Sequence, residues 1–325
     1  MTGLSDSFQR PIDYLRISVT DRCNLRCIYC MPAEGIRLMS HDDILSYEEI
    51  YTVAKAATGL GISKIRITGG EPLIRAGLTK LVQMLAKIKS VDDISLTTNG
   101  TLLAQYAAEL KSAGLRRVNI SLDTLKPDKF QQITRVGNLS DVLEGIEVAS
   151  SVGLNPIKIN MVVMAGINDD ELLDFANRTI NDEWHVRFIE YMPLGEHANK
   201  SSIVPVTEIK QRLAVLGELE PCSFKGNGPA KYFRFPQAKG TIGFITPVTE
   251  HFCFQCNRLR LTADGKLRPC LLSEEEIDLR QPLRSGISSA QLKKLIKKAV
   301  FSKPLHHHLA EGRVPQDRSF SQVGG

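Results

Sequence analysis

The strongest constraint on the fold is an alternation of short β-rich runs with longer helical stretches, which extends from Tyr14 to about Met192. The β-rich runs contain many Ile, Val and Thr residues, as strands do; they are residues 15–20, 64–68, 93–98, 117–122, 156–163 and 186–191. Helical patterns lie between them, at 47–60, 78–88, 102–113, 139–152 and 169–180. Regular alternation predicts parallel strands that are joined by right-handed crossovers.

About six strand–helix units are too few for a closed barrel of eight. We therefore predict an α/β fold built on an open, partial (βα)6 barrel of the TIM type, with a flat doubly wound sheet as the alternative. The alternation ends after Met192, where prolines, glycines and short helical fragments follow. We predict two domains, residues 1–195 and a smaller C-terminal domain at 196–325, with functional groups at the carboxyl ends of the strands.

The chain contains seven cysteines, and three of them lie directly after the first predicted strand. Cys23, Cys27 and Cys30 have the spacing C-x3-C-x2-C. The N-terminus lacks the apolar core of a signal peptide, and no run approaches the roughly 20 apolar residues of a spanning helix. We therefore expect a cytoplasmic protein without a membrane partner, in which the cysteines are thiols rather than disulfides.

Three thiolates on one loop can hold three irons of a 4Fe–4S cluster and leave the fourth iron open to a small molecule. A zinc site is the alternative for Cys23, Cys27 and Cys30. Structural zinc usually takes four ligands with paired C-x2-C spacing. The x3 interval and the lack of a nearby histidine or fourth cysteine favour the cluster.

A second group, Cys253, Cys256 and Cys270, has the spacing C-x2-C-x13-C. The residues alone leave two interpretations open. One is a second iron–sulfur cluster with an open iron, and the other is a zinc site that His251 completes as the fourth ligand. Cys222 is a weaker candidate for a fourth ligand.

Basic residues occur inside four of the predicted strands, at Arg16, Arg66, Lys158 and Arg187. A charge among Ile and Val residues costs free energy unless it is paired or binds a ligand. Because successive side chains of a strand point to opposite faces, each of these residues could instead lie on a face exposed to solvent. Four such residues in separate strands of one barrel predict a polyanion site, and a triphosphate would suit it. The formal net charge of +5 agrees with an anionic partner without requiring one.

The first cysteine motif resembles the loop of the radical S-adenosylmethionine (SAM) superfamily, in which an aromatic residue precedes the last cysteine, as Tyr29 does here. Residues 68–72, Thr-Gly-Gly-Glu-Pro, resemble the GGEP motif of that family. The resemblance implies a 4Fe–4S cluster whose open iron binds SAM and whose electron releases a 5′-deoxyadenosyl radical. It also implies that SAM contacts Tyr29, Gly70, Glu71, Ser121 and Met192.

The second motif, with its Arg-x-Arg after Cys256, resembles the GTP 3′,8-cyclases that begin molybdenum-cofactor biosynthesis. The resemblance implies a second 4Fe–4S cluster that binds guanine. It implies removal of H3′ from GTP, bond formation between C3′ and C8, and a final one-electron reduction that Arg16 assists. The C-terminal Gly324 and Gly325 are implied to support catalysis, and the implied GTP contacts are Arg16, Arg66, Thr97, Lys158, Arg187, Arg258, Leu259 and Arg260.

Two other functions stay open from the sequence. One is a radical SAM enzyme that modifies a peptide and carries an auxiliary cluster, and the other is a zinc-bearing protein that binds nucleic acid through a basic surface. We favour the cyclase, and with it no nucleic-acid partner. The resemblance further implies a flavodoxin- or ferredoxin-like electron donor, a downstream cyclic pyranopterin monophosphate synthase and a possible homodimer. We interpret residues 306–308, His-His-His, as a surface cluster because nothing nearby in the sequence completes a site.

Overall fold

One mixed sheet organises the molecule in the computed structural model, which describes residues 3–193, 202–224, 228–311, 315, 318 and 320–323. Its strand order is β12-β11-β10-β1-β2-β3-β4-β5-β6-β9-β8-β7. The strands are β1 Tyr14–Ser18, β2 Lys64–Thr68, β3 Asp93–Thr98, β4 Arg117–Ser121, β5 Lys158–Val163, β6 His185–Glu190, β7 Glu220–Pro221, β8 Lys231–Arg234, β9 Thr241–Ile245, β10 Arg258–Leu261, β11 Lys266–Arg268 and β12 Ile277–Asp278.

Helices follow most of the first six strands and cover the sheet. They are α1 Tyr47–Thr58, α2 Leu78–Ala86, α3 Leu103–Ser112, α4 Pro127–Thr134, α5 Leu139–Ser151, α6 Leu172–Asn181, α7 Val206–Leu213, α8 Arg280–Arg284, α9 Ser289–Phe301 and α10 Phe320–Val323. In the described part of the chain, none of them combines the length and the apolarity that crossing a membrane requires.

The six predicted strands pair in parallel in chain order, from β1 to β6. Side chains alternate between the two faces of each strand. In β1, Leu15 and Ile17 are fully buried in the hydrophobic core, while Arg16 between them points to the opposite face. The α/β fold with a partial barrel is confirmed, and its concave face is polar.

The C-terminal part of the chain extends this sheet at both edges. β10 pairs in parallel with β1, and β9 pairs in parallel with β6. Antiparallel strands then follow outward, β11 and β12 on one side and β8 and β7 on the other. The sequence did not indicate these two parallel strands, because each is short and its partner is distant in the chain. The predicted boundary at residue 195 lies outside the described residues, so the division into two domains stays a prediction.

Candidate active site

One cavity is lined by the six cysteines of the two motifs. Most of the other predicted site residues line it as well: Arg16, Tyr29, Arg66, Gly70, Thr97, Ser121, Arg187, Met192, Arg258 and Arg260. The structure therefore brings together predicted site residues that are up to 254 positions apart, from Arg16 to Cys270.

The two cysteine groups lie at opposite ends of this cavity. Cys23, Cys27 and Cys30 follow the carboxyl end of β1. Cys256 precedes the amino end of β10, which runs parallel to β1 with Arg258 opposite Tyr14. Cys270 follows β11, which runs antiparallel to β10 and so returns to that same end. The middle of the barrel separates the two groups.

The loop that carries the first group is packed against the Gly-Gly-Glu segment after β2. The Gly70 N–H donates to the Thr20 carbonyl over 2.8 Å, and the Glu71 N–H donates to the Arg22 carbonyl over 2.8 Å. A β-carbon on Gly70 would lie 2.2 Å from the Arg22 carbonyl oxygen, a distance that no side chain tolerates. The second glycine of the motif is required because the backbone next to Cys23 passes this close.

Glu71 is buried and does not line the cavity. Its carboxylate accepts hydrogen bonds from the Leu73 N–H at 3.0 Å, the Asn99 N–H at 2.7 Å and the Thr98 hydroxyl at 2.8 Å. Burial nevertheless raises the pKa of Glu71 to about 7. The Asn99 side chain in turn donates to the Cys23 sulfur over 3.9 Å. Glu71 thus fixes the β3 terminus, which contacts the cysteine loop.

The electrostatics of the thiols differ between the two groups. Burial raises the pKa of Cys23 and Cys27, and raises that of Cys30 to about 12. Burial also raises the pKa of Cys256, but the neighbouring Arg258 and Lys303 outweigh it and lower that pKa to about 6. Thiolates are the form that binds iron. In the second group burial also raises the pKa of Cys253, so the cations stabilise the thiolate of Cys256 in particular, whereas the thiols of the first group need a metal to offset their burial.

The spacing of the sulfur atoms suits a cluster better than a single ion. Four ligands around one zinc ion lie roughly 3.8 Å apart, given a Zn–S bond of about 2.3 Å. Among the described residues, three His, Cys, Asp or Glu ligand atoms lie within 4.8 Å of one another only at His306, His308 and Glu311. Neither cysteine group is that compact. A four-iron cluster binds one thiolate at each iron and so holds its cysteines further apart.

A row of arginines crosses the cavity between the two groups. Arg260, Arg16 and Arg66 occupy adjacent register positions on β10, β1 and β2. Burial, followed by the charges of Arg260, Arg66 and Arg258, lowers the pKa of Arg16 well below its ordinary value. Such crowding of cations is costly unless an anion binds among them.

Two further features of the cavity wall agree with anion binding: its two carboxylates are hydrogen-bonded to other groups, and one of its hydroxyl groups lacks a partner in the described part of the chain. Within the described residues the cavity is lined by two acidic side chains, Asp123 and Glu190. Asp123 accepts from the Tyr29 hydroxyl and the Val162 N–H, and Glu190 accepts from the Val248 and Thr249 N–H groups. Neither contacts the arginines through these bonds. The Thr97 hydroxyl is buried and has no hydrogen-bond partner in the described structure, as a ligand-binding group would.

Two predicted substrate residues do not line the cavity. The Lys158 ammonium lies behind aromatic rings, 4.6 Å from the centroid of Phe224 and 5.6 Å from that of Tyr232. Leu259 is 1% exposed and belongs to the hydrophobic core, because strand alternation turns it away from Arg258 and Arg260. The predicted catalytic residues Gly324 and Gly325 lie outside the described residues.

Three further residues support the site and were not found from the sequence. Lys303 lines the cavity and donates to the carbonyls of Arg258 and Pro269 over 2.8 and 2.5 Å. Arg10 donates to the Cys253 carbonyl over 2.7 Å. The Ser321 N–H donates to the Cys30 sulfur. Lys303 and Arg10 stand outside any motif, so only tertiary structure reveals them.

The alternative zinc ligands of the second group lie elsewhere. His251 is exposed and does not line the cavity; its ring stacks on that of His306 with centroids 6.1 Å apart. Cys222 does not line the cavity either, and its N–H donates to the Tyr232 carbonyl. Neither residue is placed to complete a four-ligand zinc site with Cys253, Cys256 and Cys270.

Comparison with known proteins gives two family matches and many full-length relatives. Residues 17–179 match the Radical SAM superfamily, and residues 184–309 match the family Molybdenum Cofactor Synthesis C. A GTP 3′,8-cyclase of Moorella thermoacetica is 53% identical over 324 residues, which cover 99% of this chain and 100% of that protein. A GTP 3′,8-cyclase of Thermodesulfovibrio yellowstonii is 52% identical over 325 residues, with the same coverage.

The fold is also that of a solved structure with little sequence similarity. The crystal structure of Streptococcus suis SuiB superimposes with a TM-score of 0.64 at 13% identity, over 92% of this chain and 68% of that one. At this identity the likeness concerns the fold alone.

Proposed function

This chain belongs to the GTP 3′,8-cyclase family of the radical SAM superfamily, and on that premise we propose how its residues divide the work. The reaction converts GTP into 3′,8-cyclo-7,8-dihydro-GTP, the first step of molybdenum-cofactor biosynthesis. The observation that carries the assignment of residues is the single cavity with a cysteine group at each end and arginines between them.

Cys23, Cys27 and Cys30 are the ligands of the 4Fe–4S cluster that binds SAM. When bound, this pair of cofactors supplies the radical that removes H3′ from the substrate. The chain's own contribution is to hold SAM in one orientation. Ser121 and Met192 lie at and just beyond the carboxyl ends of β4 and β6, on the same side as the cysteine loop. The Tyr29 hydroxyl donates to Asp123 over 2.8 Å, and this bond fixes the aromatic ring next to Cys30.

Cys253, Cys256 and Cys270 hold a second 4Fe–4S cluster. Three observations support this proposal: the group lines the cavity, its three sulfur atoms do not all lie within 4.8 Å of one another, and neither His251 nor Cys222 lines the cavity. A cluster held by these three cysteines would leave one iron without a protein ligand, and such an iron would be available to a ring nitrogen or oxygen of guanine. Arg258 donates to the Cys256 sulfur over 3.5 Å and holds that end in a cationic environment.

GTP binds between the two groups. Arg16, Arg66 and Arg260 provide planar, fork-shaped donors for phosphate oxygens. Arg187 is held by Asn119, to which it donates over 2.6 Å, so its guanidinium faces the cavity in one orientation. Arg16 lies in the middle of the row, and this position supports its proposed part in the final reduction.

Four parts of the assignment rest on the family resemblance. They are a role for Gly324 and Gly325 in catalysis, a flavodoxin- or ferredoxin-like electron donor, a downstream cyclic pyranopterin monophosphate synthase and a homodimer.

The direct test is turnover of the anaerobically reconstituted protein with SAM, dithionite and GTP. We expect 5′-deoxyadenosine together with a cyclised nucleotide derived from GTP, both measured by liquid chromatography and mass spectrometry. SAM cleavage without a GTP-derived product would contradict the substrate assignment and favour the peptide-modifying alternative. A protein with about two zinc ions and no iron would favour the nucleic-acid-binding alternative.

A further inference from the structure

Residues 306–311 form a strap on which two histidines and a glutamate converge. The ligand atoms of His306, His308 and Glu311 all lie within 4.8 Å of one another. His308 Nδ1 is 2.8 Å from a Glu311 oxygen, and His306 Nε2 is 3.9 Å from the same oxygen. The three side chains are between 43% and 46% exposed, so an ion could enter and a water molecule could complete its coordination. The sequence did not indicate this site, because the Glu311 side chain comes close to the two histidines only when the chain turns at Leu309–Glu311.

The backbone of the strap is fixed independently of any ion. His307 Nε2 donates to the Pro247 carbonyl over 2.8 Å, while its Nδ1 accepts from the Leu309 N–H. Both ring nitrogens of His307 are therefore used. His307 points into the fold and lines the cavity, whereas its two neighbours face the opposite way, toward Glu311. The ring of His251 stacks on that of His306 and restricts its rotation.

We propose that His306, His308 and Glu311 bind one divalent transition ion of the zinc type. Two imidazoles and one carboxylate with an open fourth position are a ligand set that zinc accepts. Side-chain rotation suffices to replace the hydrogen bond between His308 and Glu311 with two bonds to the ion.

The ion would stabilise the wall of the active site next to the second cysteine group. The His307 N–H donates to the Cys253 sulfur, and Arg10 bridges the carbonyls of Cys253 and Leu305. The strap also ends at Glu311, directly before the C-terminal segment.

The test uses the untagged holoenzyme with its iron clusters in place, so that the cysteines are occupied. After equilibrium dialysis against buffered zinc, metal analysis should show one zinc per chain in addition to the iron. H306A/H308A should lose that zinc, and E311Q should weaken its binding by more than about tenfold, because changes to outer-shell partners alone cost that much. His41→Ala, an exposed histidine far from the strap in sequence, is the matched control and should bind zinc as the native chain does.

Zinc X-ray absorption provides a second measurement that does not depend on the variants folding. Nitrogen and oxygen neighbours without sulfur are expected. Sulfur neighbours would place the zinc at the cysteines and overturn the proposal. So would a native protein that binds no zinc beyond its iron, or an H306A/H308A variant that retains native iron content and still binds zinc.

Discussion

Gly70 is a residue at which a single methyl group should disable the first cluster. A β-carbon there would lie 2.2 Å from the Arg22 carbonyl oxygen, one residue before Cys23. Backbone atoms cannot rotate away as a side chain can, so the loop itself would have to move. We expect Gly70→Ala to lose about four irons per chain, those of one cluster, and to cleave no SAM.

Iron analysis and SAM cleavage measure this effect. Gly3→Ala is the matched control, since a β-carbon at Gly3 meets no atom within 4 Å. A Gly70→Ala protein with native iron content and native SAM cleavage would show that the loop tolerates the shift, and that glycine is not required at position 70.

Lys158 should couple substrate binding to protonation. Burial, followed by the charges of Arg187, Arg117 and Arg66, lowers the pKa of Lys158 to about 6, against a smaller opposing effect of Asp93. The ligand-free lysine is therefore mostly neutral above pH 6, and a polyanion nearby would restore its charge. GTP binding should take up a proton near pH 8, and GTP affinity should fall as the pH rises above about 6.

Calorimetry in buffers of different ionisation enthalpy measures that proton. Lys158→Met should abolish most of the uptake. Lys80→Met should not change it, because the Lys80 side chain is 63% exposed and pairs with Glu48. Equal uptake in the native chain and in Lys158→Met would assign the proton to another group. His185, whose pKa is lowered to about 4 by burial and then by Lys158, is the nearest alternative.

At the scale of elements, the sequence predicted the six strands and five helices between them, but not α4 or the edges of the sheet. The strands from β1 to β6 were visible because a helical pattern separates each from the next, and glycines such as Gly61 and Gly114 end some of these patterns. β9 and β10 have no such context. Their pairing with β6 and β1 depends on contacts between distant parts of the chain, which local patterns do not encode.

The C-terminal element α10 is held by an ion-pair anchor that should tune the first cluster. Arg318 donates to Asp264 over 2.9 Å and to Glu276 over 2.6 Å. Three residues later, the Ser321 N–H reaches the Cys30 sulfur. Such hydrogen bonds stabilise the more negative, reduced cluster and raise its potential. Arg318→Ala should release the segment and lower that potential by about 20–60 mV, the equivalent of ~0.5–1.5 kcal/mol for one electron.

A redox titration followed by EPR, without SAM, measures this shift. Arg178→Ala removes an exposed ion pair with Asp182 on a distant helix and should leave the potential unchanged. An Arg318→Ala protein with the native reduction potential and native iron content would show that the ion pairs of Arg318 do not influence the first cluster.

At the scale of the whole molecule, the active site depends on the parallel pairing of β10 with β1. This pairing places the second cysteine group at the end of the barrel opposite the first, with the arginine row between them. The motifs identified both cysteine groups and the strand arginines Arg16 and Arg66. They did not reveal that Lys303 lines the cavity, that Lys158 lies behind Phe224, or that Leu259 is buried in the hydrophobic core. Each of these depends on which face of an element meets a part of the chain that is distant in sequence.

In the proposed active site, two open clusters face one cavity from opposite ends. Mössbauer and EPR spectra of anaerobic, reconstituted protein, recorded with SAM and GTP added separately, would detect both clusters and their ligands. We expect about eight irons per chain in two four-iron clusters, with SAM perturbing the spectrum of one and GTP that of the other. A C256S/C270S variant should retain only the cluster that responds to SAM. A native protein with a single four-iron cluster, or with both ligands acting on the same cluster, would contradict the account.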